Sequence, residues 1–233
     1  MKHKNLYWLA GLVLSFLFFV FLFICVTNAS GAPLSIDNTI HDFFVNHRGN
    51  KNGFINIFAL IFTQAGSAIF FVIATIAILV LYKGNYKALA YLLGACLVVV
   101  LNKGIKSGIC RFRPDQDYFW VNECGYSFPS GHSMLSAYSF SWGIYMLHDF
   151  KLNSKLRISL NVVFALIMII VPITRLILAV HYFTDVLAGS MLSICIAFLS
   201  FELKDILLEF NILPISIKDS WKNRKSKKNK ISE

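Results

Sequence analysis

The chain has 233 residues, 57% hydrophobic and 15% charged, with a formal net charge of +10. Soluble domains are typically about 45–50% apolar, so an excess gathered into long runs excludes an ordinary water-soluble globule. The basic excess falls where membrane topology places cations, which argues against nucleic-acid recognition.

A hydrocarbon core of about 30 Å takes roughly 20 apolar residues per helix. The first run, Leu6–Val26, follows the basic start MKHKN. The small residues Asn28-Ala29-Ser30-Gly31-Ala32 suggest a cleaved signal, but the run exceeds the usual h-region of about 7–15 residues, so a retained anchor is expected. In the loop that follows, Ile36, Ile40, Phe43 and Phe44 are spaced as one face of a short helix, either lying in the interface or packed over the bundle. The run Phe54–Tyr82 is interrupted by Gln64-Ala65-Gly66-Ser67 and reads as a short helix plus a span, or as one long tilted helix. Ala88–Leu101, extended toward Lys106, is a third span, and Met134–Leu147, Leu156–Ile173 and Val186–Leu203 supply three more. The expected fold is all-α and polytopic: six transmembrane helices in one bundle over residues 1–210, with a short interfacial helix after the first span. Residues 211–233 form a basic tail expected to be disordered.

Six spans place Lys2 and Lys4, Lys83 and Lys87, Lys151, Lys155 and Arg157, and the tail (Lys218, Lys222, Arg224, Lys225, Lys227, Lys228, Lys230) on one side. By the positive-inside rule that side is cytoplasmic, and so are both termini. Lys103, Lys106, Arg111, Arg113 and Arg175 then fall on the outer side, against the bias, with only Asp115, Asp117 and Glu123 nearby to pair with them. Cations kept at membrane depth are candidates for function, and this group reads as underpaired. Tyr118-Phe119-Trp120 reads as an aromatic anchor at the interface. Of the five cysteines, Cys110 and Cys124 share the outer loop, where an oxidising compartment allows a disulfide worth about 3 kcal/mol; their spacing leaves free thiols equally open.

Three segments carry chemistry. Lys106 and Arg113-Pro114 supply fixed positive charge, the arginine as a fork suited to phosphate oxygens and the lysine as a point charge. Pro129-Ser130-Gly131-His132 precedes an apolar helix whose unpaired N-terminal amides and dipole favour an anion. In Thr174-Arg175…His181…Asp185, the last two residues are four apart and share a face if helical. A carboxylate there can hold one imidazole N–H and leave the other nitrogen free to attack. For an isolated pair of this kind, a core histidine beside a solvated aspartate is the commoner outcome.

Taken together, Lys106-(six)-Arg113-Pro114, Pro129-Ser130-Gly131-His132 and Arg175-(five)-His181-(three)-Asp185 resemble the type 2 phosphatidic acid phosphatase family of integral membrane lipid phosphatases. This chain has Thr174 where the family usually has serine, which keeps a hydroxyl there as a possible phosphate contact. The resemblance implies that His181 is the nucleophile, Asp185 its orienter and His132 the general acid. It implies phosphate binding by Lys106, Arg113, Ser130, Gly131 and Arg175, with no metal or other cofactor. The implied substrates are phosphatidic acid, phosphatidylglycerol phosphate or a polyprenyl diphosphate such as undecaprenyl diphosphate. Short loops and an outward-facing site favour the last, in carrier-lipid recycling. The implied partners are the phosphorylated lipid and the bilayer, with no nucleic acid and no obligatory protein. Transfer of the phosphoryl group to another acceptor, and a non-catalytic anion-binding protein or transporter, are the competing readings.

Overall fold

The computed structural model describes residues 2–82 and 85–209; Lys83 and the basic tail at 211–233 lie outside the described residues. Among the described residues there is no strand. Eight α-helices follow in order: α1 (Lys2–Asn28), α2 (Ser35–His47), α3 (Phe54–Thr63), α4 (Ala68–Tyr82), α5 (Tyr86–Ile109), α6 (Gly131–Met146), α7 (Ser154–Ile177) and α8 (Phe183–Glu209). Asn85 caps α5 by accepting from the Lys87 amide at 3.3 Å, and Asn153 caps α7 by accepting from the Leu156 amide at 2.8 Å.

Among the described residues four helices, α1, α5, α7 and α8, are long and apolar enough to cross a membrane, and there are five such spans if α3 and α4 count as one. Those two meet at a 41° bend over a 3-10 turn at Gln64–Gly66. The expected interruption is therefore a real break. Helix α6 has 16 residues, about 24 Å at 1.5 Å per residue, and falls short of the length of a full span. Outward-facing side chains such as Leu14, Phe21, Ile69, Ile73, Ile158 and Leu166 are exposed, an apolar girdle that lipid, and not water, suits.

Helix α8 is the axis of the bundle and packs on α1, α5, α6 and α7. It can do so because its buried face is built from small residues: Ala188, Gly189, Ser190, Ser193, Ala197 and Ser200. At Gly189 a Cβ would lie 2.7 Å from the Ser130 carbonyl oxygen, so only glycine lets the loop before α6 settle on α8. Two polar side chains of α6 are satisfied across the packed interior: Tyr138 donates to the Tyr91 carbonyl at 2.7 Å and Trp142 to Ser200 Oγ at 2.9 Å.

The aromatic group at 118–120 is anchored to its own protein. Phe119 and Trp120 pack on a small buried cluster of Ala59, Ile177, Leu178 and Val180. The Arg48 guanidinium lies over the Trp120 ring at 4.1 Å and donates to the carbonyls of Ile177 and Tyr118. Phe119 and Trp120 are thus held by packing and a cation–π contact, while Tyr118 stays exposed. Cys110 and Cys124 are both free and exposed, so the disulfide is not formed. Cys110 takes the left-handed conformation that ends α5, and its Sγ turns back to the Ser107 carbonyl at 3.1 Å.

Candidate active site

Four helix ends meet at one end of the bundle. The last turn of α5 brings Lys106, the start of α6 brings Ser130 to His132, the last turn of α7 brings Arg175, and the start of α8 brings Asp185, with His181 in the turn before it. The Ser130 amide donates to the Asp185 carbonyl oxygen at 3.0 Å and ties the α6 entrance to α8.

His181 is buried, and its two ring nitrogens face different partners. Nε2 lies 3.1 Å from Arg113 Nη1, and Nδ1 lies 3.4 Å from Asp185 Oδ2. A guanidinium can only donate, so Nε2 holds the lone pair and the ring proton sits on Nδ1, toward the carboxylate. Burial first, then the charges of Arg113, Arg175 and Lys106, push the His181 imidazole well below its usual range, with Glu123 opposing. His181 is therefore neutral at pH 7, with its lone pair directed at a cationic group.

Arg113 also donates to the carbonyls of Gly125 (3.0 Å), Val180 (2.8 Å) and Cys124 (3.2 Å), which fixes the fork. Arg175 donates to Thr63 Oγ1 at 3.0 Å, a residue delivered by the break between α3 and α4, and to Glu123 Oε1. Its Nε–H is buried with no hydrogen-bond partner among the described residues, a donor left for something else to satisfy. Glu123 bridges the two arginines, with Oε2 3.5 Å from Arg113 Nη2. Burial works to raise the Glu123 carboxyl, but Arg175 and then Arg113 hold it below the usual carboxylate range. These cations are thus less underpaired than the sequence suggests. Glu123 occupies the fork where an anion would sit.

The remaining expected residues are placed as follows. Lys106 Nζ donates to the Tyr126 carbonyl and lies 3.4 Å from that of Ser127. His132 stands in the first turn of α6, within electrostatic reach of Arg175, Glu123, Arg113 and Lys106. The first backbone bond of α6 runs from Met134 to Ser130, so the amides of Gly131, His132 and Ser133 precede the helical ladder. Ser130 is the N-cap residue without a capping side-chain bond; its Oγ lies 3.1 Å from Ser133 Oγ. Thr174 is fully buried and its hydroxyl donates to the Val171 carbonyl at 2.6 Å, not into the cavity. A cavity of ≈ 440 Å³ opens beside Arg113 and Glu123, lined also by Phe112, Gln116 and Tyr126; Lys106, Arg175 and His181 do not line it.

Two further residues escaped the sequence reading. Thr63 touches Arg175, as does Glu123, one of the acids the sequence places near these cations. Asp37, at the start of α2, is fully buried and pairs with Arg111 at 2.7 Å; Arg111 in turn pairs with Asp185 Oδ1 at 2.5 Å. A lone acid on an apolar helix face was the only available signal for Asp37.

The model of the PAP2 superfamily matches residues 87–206. Phosphatidylglycerophosphatase B of Bacillus subtilis (strain 168) is 36% identical over 119 residues, which is 51% of this chain. The match spans 58% of that relative's length. The crystal structure of a transmembrane PAP2 type phosphatidylglycerolphosphate phosphatase from Bacillus subtilis matches with a TM-score of 0.69 and 28% identity, covering 84% of this chain and 97% of that one.

Proposed function

The chain belongs to the PAP2 superfamily, and on that premise we propose that it is a membrane lipid phosphatase whose nucleophile is His181. The observation that carries the proposal is the orientation of that ring: Nδ1 toward Asp185, and Nε2 toward the fork that would bind phosphate. Phosphoryl oxygens entering between Arg113, Arg175, Lys106 and the amides at the start of α6 would take over the donors now on Glu123 and on Nε2. The unmet Nε–H of Arg175 would gain an acceptor.

The reaction runs in two steps. Nε2 of His181 attacks phosphorus, the bond to the lipid oxygen breaks, and His132 gives that oxygen its proton. Water then attacks the phosphohistidine and gives a proton to His132, the P–N bond breaks, and inorganic phosphate leaves. Asp185 holds the Nδ1 proton through both steps and offsets the charge that develops on the imidazole. The arginines and the lysine stabilise the equatorial oxygens, the largest expected contribution, without a metal ion.

A site at one end of a lipid-embedded bundle suits a phosphate on a headgroup whose tail stays in the bilayer. The first substrate to test is phosphatidylglycerol phosphate, because it is the one named for the relative, followed by undecaprenyl diphosphate and phosphatidic acid. We place the site on the extracytoplasmic side of a six-span topology with both termini in the cytosol, counting α6 as a short span and α3 with α4 as one. In that arrangement α2 lies at the outer interface.

Phosphate release by the purified chain, compared with His181→Ala and repeated with EDTA, tests the proposal. Loss in the variant and no effect of EDTA are expected. Undiminished turnover by His181→Ala ends the assignment, and phosphorylated acceptor in place of free phosphate makes the protein a transferase.

A further inference from the structure

Arg111 and Asp37 do not line the cavity beside Arg113, yet they form a fully bonded buried polar node. Arg111 is fully buried and uses all its donors: Nε on the Gly31 carbonyl (3.2 Å), Nη1 on Thr184 Oγ1 (2.8 Å) and Asp185 Oδ1 (2.5 Å), and Nη2 on the Ala32 carbonyl (3.3 Å) and Asp37 Oδ2 (2.7 Å). The Arg111 guanidinium carbon also lies 4.7 Å from the centre of the Tyr182 ring.

Asp37 accepts in addition from the Leu34 amide at 3.0 Å, closing the start of α2, and from the Thr184 amide at 2.9 Å, closing the start of α8. One carboxylate thus caps two helices while it anchors the guanidinium. Asp185 has its two oxygens divided. Oδ1 belongs to Arg111, and Oδ2 takes the Tyr182 amide at 2.9 Å and faces His181 Nδ1.

We propose that Arg111, held by Asp37 of α2, is a positioning residue that sets both the orientation and the effective charge of Asp185, and through it the basicity of His181. Removing Arg111 would leave Asp185 with a fuller negative charge and a free oxygen, so it would grip the imidazole proton more tightly. Removing the charge of Asp37 would leave Arg111 to Asp185 alone, and the grip would loosen. The buried carboxylate on α2 therefore ties the first third of the chain to the chemistry of the last. This rests on His181 being the nucleophile.

The two changes act on the acid limb of kcat/KM, which reports the free enzyme, in opposite directions. The charges facing His181 are Asp185 on α8, Arg113 and Glu123 from the outer loop, Arg175 on α7 and Lys106 on α5, with His132 on α6 beside them; the variants leave all of these in place. With phosphatidic acid in mixed micelles and the full chain in detergent, Arg111→Gln moves the limb to higher pH by about one unit, the lower end of what a neighbouring charge does. Asp37→Asn moves it to lower pH by less. Arg111→Lys keeps the charge and loses the fork, so the limb stays while kcat falls about tenfold or more. Inorganic phosphate affinity, which reads the cationic donors, stays within about threefold of the parent in all three, because the node makes no contact there; RT ln 3 is about 0.65 kcal/mol.

Limbs that stay put, or that move the same way in Arg111→Gln and Asp37→Asn, overturn the inference, and so does phosphate affinity lost in step with kcat. If Arg111→Gln fails to fold, Asp37→Asn and Arg111→Lys decide it by the same readings. A parent enzyme that releases no phosphate, or a His181→Ala variant that does, sinks the phosphatase reading itself and is recognised before any limb is compared.

Discussion

Glu123 sits where the substrate's charge is expected, and replacing it gives a prediction with a sign and a size. Its carboxylate bridges Arg175 and Arg113, with side-chain exposures of 23% for the acid and 2% and 9% for the two arginines. At the 3.5 Å separation from Arg113, unit charges attract by about 5 kcal/mol at an effective dielectric constant of about 20, which is an upper bound. What an incoming anion must break is nearer the net worth of a charge-assisted hydrogen bond, about 1.5–3 kcal/mol. Glutamine keeps the shape and one acceptor but surrenders the charge. Glu123→Gln is therefore expected to bind inorganic phosphate or orthovanadate about tenfold more tightly, corresponding to about 1.4 kcal/mol. Titration calorimetry of the detergent-solubilised protein at two salt concentrations measures it, with the gain larger at low salt. Equal or weaker anion binding by the variant would refute the reasoning and make Glu123 a brace for the arginines, not a stand-in for the ligand.

Arg175→Lys replaces a fork with a point charge and abandons Thr63; turnover is expected to fall about a hundredfold, the scale of losing one transition-state donor, as single-turnover phosphate release will show. Gly189→Val pushes a side chain against the Ser130 carbonyl, costing about 1–3 kcal/mol and lowering the thermal midpoint in detergent; an unshifted midpoint would mean that the α6 entrance gives way. The folded state holds the His181 imidazole well below its ordinary value of 6.5. Between that depressed value and 6.5 the unfolded chain binds more protons, so stability falls as pH drops below about 6.5, and His181→Gln flattens that slope in thermal melts at stepped pH. The same neutrality places the acid limb of kcat/KM below 6.5.

The long apolar helices were legible because lipid demands continuous runs, and the break at Gln64–Ser67 announced itself through glycine and polar residues inside such a run. The three chemical segments were legible because each lies within a few residues of a helix end. The partners reached across the fold were not. Nothing local couples Asp37 to Arg111 or Thr63 to Arg175, which are contacts 74 and 112 residues apart. The packing of Phe119 and Trp120 was not legible either, because an aromatic triplet looks alike at an interface and in a small core; Arg48 over Trp120 comes from another loop. Two cysteines in one loop left the disulfide open, and the left-handed turn at Cys110 sends its sulfur to Ser107 instead.

The hydrogen bond from Arg113 to Nε2 of His181 has a consequence for selectivity. While the guanidinium covers that lone pair, the imidazole is a poor nucleophile toward any electrophile that drifts in. Carboxylic esters and neutral alkylating groups carry too little negative charge to draw the arginine away. On the proposed role of His181, a ligand bearing several anionic oxygens would unmask the ring, and discrimination against uncharged lipids would reside in the attacking atom itself and not only in the surrounding walls.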